Sequence, residues 1–155
     1  MIIDSPTPKM LAEVNDGICW ITFNAPEKRN AMSLDMWQGL GEILGKLQEE
    51  KSLRVLILKG AGDAAFVSGA DISEFEDKRS SQRDRDAYEA AFDDALDKLA
   101  NFATPVVAMI RGYCIGGGLA IALNTDIRIA TEQSKFGIPA AKVLEDLFFF
   151  CLACI

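Results

Sequence analysis

Large apolar side chains alternate with smaller or polar ones over residues 18–23, and a similar run covers residues 10–14. Between them stands Asn15-Asp16-Gly17, so the pair predicts a hairpin of two half-buried strands. Asn24-Ala25-Pro26 ends the second strand, because proline has no donor for a ladder. The period then lengthens. Ser33 is the expected N-cap of a helix to about residue 51, with Met36, Leu40, Ile43, Leu44 and Leu47 on one stripe. Arg54-Val55-Leu56-Ile57-Leu58-Lys59 reads as a strand buried on both faces. A polar, mobile surface loop is expected over residues 80–86. A helix over about 83–101 follows, with Tyr88, Phe92, Leu96 and Leu99 on one face. Beyond it come a strand over 105–110, a glycine turn into an apolar helix, a strand over 126–131 and an extended piece over 135–137. No repeat or linker interrupts the series, which predicts one α/β domain of alternating strands and helices over residues 1–155.

Composition narrows the class. Of 155 residues, 50% are hydrophobic and 25% charged, the balance of a globular chain with a real core. A net charge of -7 argues against nucleic acid as a partner, Lys28-Arg29 and Lys78-Arg79 being small local exceptions. No apolar run reaches the roughly 18 residues of a membrane span, and residues 1–10 are too polar for a secretory signal. Cys19, Cys114, Cys151 and Cys154 are expected as reduced thiols in the cytoplasm. With no histidine, neither a Ser-His-Asp relay nor a His-ligated metal can be built from this chain. No metal site is expected, and the terminal Cys151-x-x-Cys154 lacks the second pair that such a site needs.

The densest chemical signal is Gly112-Tyr113-Cys114-Ile115-Gly116-Gly117-Gly118, between a strand and an apolar helix. Consecutive glycines cost backbone entropy. They suit a tight turn with close helix packing, or a backbone that approaches a bound group. The first N–H groups of a helix lack partners and sit at the positive end of its dipole, which suits an oxygen gaining charge. Gly69-Ala70-Asp71 is a second junction of this kind, with Asp71 placed as a helix cap more than as an acid. Two such donors brought together make an oxyanion hole without any particular side chain. Gly60-Ala61-Gly62-Asp63-Ala64-Ala65 formally fits a dinucleotide fingerprint, but an extended stretch follows where that motif requires a helix.

Four collinear pieces resemble the crotonase, or enoyl-CoA hydratase/isomerase, superfamily. They are Pro26-Glu27-Lys28-Arg29-Asn30-Ala31-Met32-Ser33; Ala65-Phe66-Val67-Ser68-Gly69-Ala70-Asp71-Ile72; the triple-glycine segment; and Asp126-Ile127-Arg128-Ile129-Ala130 with Phe136-Gly137. The resemblance runs from about residue 10 to residue 141 and implies a crotonase-like spiral of ββα units that binds an acyl-CoA thioester. The amides of Ala70 and Gly117 would then hold the thioester oxygen as it becomes an enolate. Lys28, Arg29 and Ala31, with Asp71 and Ile72 at the second junction, would line the CoA site. Without the resemblance, Lys28-Arg29 is simply a solvated loop pair. Coenzyme A enters as part of the substrate and no separate cofactor is implied. Assembly as a trimer or a hexamer is implied as well.

Two departures qualify the activity. Hydratases of the superfamily carry one glutamate two residues after the glycine triplet, where this chain has Ala120, and a second after a Phe-Gly-x-Pro segment, where it has Ala140. Alanine transfers no proton, so two-carboxylate water addition is not supported at those places. Glu145 and Asp146 lie about a helical turn, ~5 Å, further on and are expected at the surface or as caps. Cys114 is expected to be packed rather than nucleophilic. The dense apolar end, with Phe148-Phe149-Phe150, reads as a truncated or divergent C-terminal portion of a domain incomplete there, and predicts an oligomeric or sticky product. The expected function is lyase or isomerase chemistry on an acyl-CoA. Hydrolase or decarboxylase chemistry, or a non-catalytic CoA-binding fragment, stand as alternatives.

Overall fold

Asp16 and Gly17 both adopt left-handed backbone, at φ 50 and φ 78, as a two-residue hairpin turn requires. The turn joins β2 (Met10–Asn15) to β3 (Ile18–Phe23) in antiparallel register, Asn15 facing Ile18. The computed structural model describes residues 1–71, 73 and 82–138. Ile72, Ala140, Glu145, Asp146, Phe148–Phe150, Cys151 and Cys154, and the expectations resting on them, lie outside the described residues.

β1 (Ile2–Ile3), β2, β3, β4 (Val55–Gly60), β6 (Val106–Ile110) and β8 (Ile127–Ala130) lie side by side in that order in a six-stranded sheet. From β3 onward its strands are parallel. A three-stranded parallel sheet holds β5 (Ala65–Val67), β7 (Tyr113–Ile115) and β9 (Lys135–Gly137). The chain climbs by sending one strand to each sheet in turn. β4 and β5 precede helix α2 (Gln82–Ala100); β6 and β7 precede α3 (Gly117–Leu123); β8 and β9 follow. The turn before these is a reduced version, in which β3 is followed by a single parallel bridge, Met32 to Ala70, and then by α1 (Leu34–Leu47). This is the spiral of ββα units that the resemblance implies.

The predicted stripe of α1 is fully buried together with Trp37, each side chain contributing on the order of 2 kcal/mol. Tyr88, Phe92, Leu96 and Leu99 of α2 pack on the same core as expected. Edge-to-face contacts tie the layers: Trp37 to Phe92 at 4.9 Å, and Phe23 to Phe66 at 5.3 Å between the two sheets.

Four sequence expectations need correction. β4 is not buried on both faces: Leu56 and Leu58 are sealed, but Val55 and Ile57 are only half-buried, because the layers pack on one side of this sheet. α1 stops at Leu47, where Gln48 caps it through its backbone, and Ser33 begins it without a side-chain cap, its hydroxyl bonding Asp35 instead. Residues 82–86 are helical rather than a loop, since Gln82 bonds both Asp86 (2.7 Å) and Arg85 (3.1 Å) across one turn. Tyr113–Ile115 form a strand inside what reads as a glycine turn.

Candidate functional site

Asn30 organises the loop that carries Lys28, Arg29 and Ala31. Its side chain is fully buried and receives the Ala25 N–H at 3.0 Å, while its amide donates to Ala61 (3.0 Å) and Ala65 (2.8 Å). Those bonds hold two successive residues, Arg29 and Asn30, in left-handed backbone at φ 52 and φ 55. Asparagine tolerates that region better than most residues, but arginine there is strained and needs support from its surroundings. Sequence reading passed over Asn30. An asparagine followed by a small residue inside a polar loop was the available signal.

That loop faces the first junction. Met32 donates to the Gly69 carbonyl at 2.7 Å, and the Asp71 N–H donates back to the Met32 carbonyl at 2.9 Å. In such a parallel bridge the partner residue's own amide points the other way. Ala70 is that residue, so its N–H is turned from Met32; the strand it follows, β5, has β7 along its edge.

On that edge β7 gives way to α3. Gly116, at φ 53, turns the chain, and Gly117 opens the helix with no side-chain cap. Gly118 sits against the end of β5 so closely that a Cβ there would meet the Val67 carbonyl oxygen at 2.4 Å. A Cβ on Gly117 would meet the Trp37 ring at 3.1 Å. The two junctions are therefore packed neighbours. Among the described residues, neither the Ala70 nor the Gly117 amide has a hydrogen-bond partner.

Lys28, Ala31, Ala70 and Asp71 line one cavity of about 400 Å³, together with Ser68 and Ser73. Arg29 points elsewhere, over the Tyr113 ring at 5.4 Å, where Lys135 also lies at 5.5 Å. Asp71 is only 7% exposed. It bonds Lys28 Nζ at 2.7 Å through one oxygen, and the Ser73 N–H and hydroxyl at 3.1 and 2.6 Å through the other. Burial raises its pKa, but the bonds from Lys28 and Ser73 and the lysine charge outweigh that and hold the carboxyl below its usual 3.8. Asp71 is thus a fixed anion, held by Lys28 and Ser73.

Ala120, two residues beyond Gly118, is half-buried in α3 and offers no carboxylate. Cys114 is packed in the core as expected, and that burial pushes its thiol up to about 12. A larger cavity of about 950 Å³ lies over the outer face of the six-stranded sheet, with Trp20, Lys59 and Arg111 in its wall. None of the residues of either glycine junction lines it. Among the described residues no His, Cys, Asp or Glu group could hold a metal ion, and no helix is long and apolar enough to cross a membrane.

A mixed six-stranded sheet and a parallel three-stranded one, climbed by a ββα spiral whose turns abut at the two glycine junctions, define a class of fold and site. Residues 13–143 match the profile of the enoyl-CoA hydratase/isomerase family, and the chain belongs to that family, within the crotonase superfamily. It is 30% identical over 130 residues to a short-chain-enoyl-CoA hydratase of Clostridium acetobutylicum, covering 84% of this chain and 49% of the relative. It is 33% identical over 133 residues to the (E)-benzylidenesuccinyl-CoA hydratase of Thauera aromatica, covering 84% of this chain and 50% of that enzyme. The crystal structure of an enoyl-CoA hydratase/carnithine racemase from Magnetospirillum magneticum superimposes with a TM-score of 0.87 at 36% identity, over 97% of this chain and 56% of that one. The chain spans about half the length of the curated relatives it matches.

Proposed function

We propose that the Ala70 and Gly117 amides form an oxyanion hole for the thioester carbonyl of an acyl-CoA, and that the chain contributes to chemistry passing through an enolate. The observations that carry this reading are the parallel bridge that turns the Ala70 amide from Met32, the packing of Gly118 on the end of β5, and the lack of a hydrogen-bond partner for either donor among the described residues. Each donor of such a pair contributes about 3 kcal/mol when charge develops on the oxygen. Lys28, Ala31, Asp71 and Ile72 form the CoA-binding side, with Arg29 flanking it. The ligand is an acyl-CoA thioester, CoA being part of the substrate, and the working unit is a homo-oligomer in the cytoplasm.

Ala120 favours a reaction other than two-carboxylate hydration, such as a hydrolase or decarboxylase step. It favours equally a CoA-binding chain without turnover, since Asp71, the carboxylate in the cavity wall, is committed to Lys28 and Ser73. A panel of enoyl-, β-keto- and malonyl-CoA thioesters, assayed beside the binding of CoA itself, separates these. Turnover of any thioester supports the enzyme; binding without turnover supports the binding chain; no binding of CoA or its esters overturns both.

A further inference from the structure

Trp37 and Tyr88 lie outside the cavity wall, yet they join the two junctions from behind. The Trp37 Nε1–H donates to the Tyr88 hydroxyl at 2.9 Å, and that hydroxyl lies 3.4 Å from the Met32 carbonyl, a long donation. The same carbonyl accepts the Asp71 N–H, while Met32's own N–H holds Gly69, so Ala70 is pinned on both sides. At the other end, the Trp37 ring stands against Gly117 at a distance that leaves no slack for a Cβ. Trp37 is itself 1% exposed and braced edge-on by Phe92. Met32 and Trp37 sit on either side of the first turn of α1, and the Trp37 N–H is anchored on the Ser33 carbonyl at 3.1 Å. One helix start thus holds both junctions, one through the Met32 bonds to Gly69 and Asp71 and the other through an aromatic ring on Gly117.

We propose that Trp37 and Tyr88 are positioning residues that set the spacing of the Ala70 and Gly117 amides. This rests on the oxyanion reading. The phenol fixes the indole, and the indole fixes Gly117 relative to the strand that Met32 holds. Loss of the phenol oxygen lets the ring shift by tenths of an ångström, which two convergent donors register far more than a binding surface does.

The probe is a short 2-enoyl-CoA labelled with carbon-13 at its thioester carbonyl, whose infrared band moves to lower frequency when donors polarise it. Tyr88→Phe is the mild variant, and Trp37→Phe and Gly117→Ala are tested singly and together. The expected result is a downshifted band in the wild type that moves back toward the free position in Tyr88→Phe, with CoA affinity held within about twofold. Where turnover is found, kcat falls about tenfold while KM stays near its original value. The band change in Gly117→Ala is expected to shrink in the Trp37→Phe background, because the smaller ring makes room for the new methyl. A wild-type band at the free position overturns the oxyanion reading and this inference with it. A downshifted wild-type band that Tyr88→Phe leaves in place, whatever its effect on stability, overturns the inference alone.

Discussion

The two junctions reach the same result by different means. At Ala70 the backbone is held by hydrogen bonds: Met32 bridges residues 69 and 71, Asn30 locks the facing loop, and Asp71 is tied to Lys28 and Ser73. At Gly117, among the described residues, no side chain bonds the turn: the Gly116 N–H donates to the Gly137 carbonyl at 2.9 Å, and close contact sets the rest, Gly118 against Val67 and Gly117 against Trp37. A polar clamp fails when one partner becomes apolar. A steric clamp fails when one atom is added.

The largest effect is therefore expected from the smallest addition. Gly118→Ala puts a methyl 2.4 Å from the Val67 carbonyl, against backbone that cannot swing away. It is expected to cost about 3 kcal/mol in denaturant unfolding, with loss of acyl-CoA binding. Asn30→Ala strands the Ala25 N–H and the Ala65 carbonyl in a buried loop and is expected to cost about 2 kcal/mol. CoA affinity should fall with it, since the loop presents Lys28 and Ala31. A variant that unfolds normally and still binds CoA contradicts the polar clamp.

Tyr88→Phe removes the acceptor of the Trp37 N–H and is expected to cost about 1 kcal/mol, read as a lowered melting temperature. Asp71→Asn has the smallest effect, because Lys28 is half exposed and water screens the pair. Its sign is nevertheless definite. The folded carboxyl titrates below its ordinary 3.8, so its contribution is complete above that pH and is lost as pH falls through the lower folded value. Wild type should exceed the variant in stability at neutral pH, and the gap should close in acid. A gap that widens in acid would reverse the assignment of Asp71 as a stabilising anion.

The steric junction was the more legible of the two in the sequence. Consecutive glycines between a β-rich run and an apolar run announce close backbone approach without any knowledge of the partner. The polar junction was half legible: Lys28, Ala31, Ala70 and Asp71 were picked out and line one cavity, but Asn30 was not. Its role depends on carbonyls at residues 61 and 65, which are brought near only by the fold. Trp37 and Tyr88 were hidden for a related reason. Tyr88 shows only as a member of an apolar stripe, and nothing in a helical period reveals a hydrogen bond between two helices. β7 was missed because three residues between glycines are too few to show alternation.

Removing the Ala70 N–H while every side chain is kept would probe the pairing most directly. Replacing the residue at position 70 with its α-hydroxy acid analogue exchanges that amide for an ester and keeps the methyl side chain. Enolisation of a bound β-ketoacyl-CoA, followed by its near-ultraviolet absorbance, is expected to weaken about a hundredfold in the ester protein while CoA itself binds as before. Undiminished enolisation in the ester protein would contradict the account.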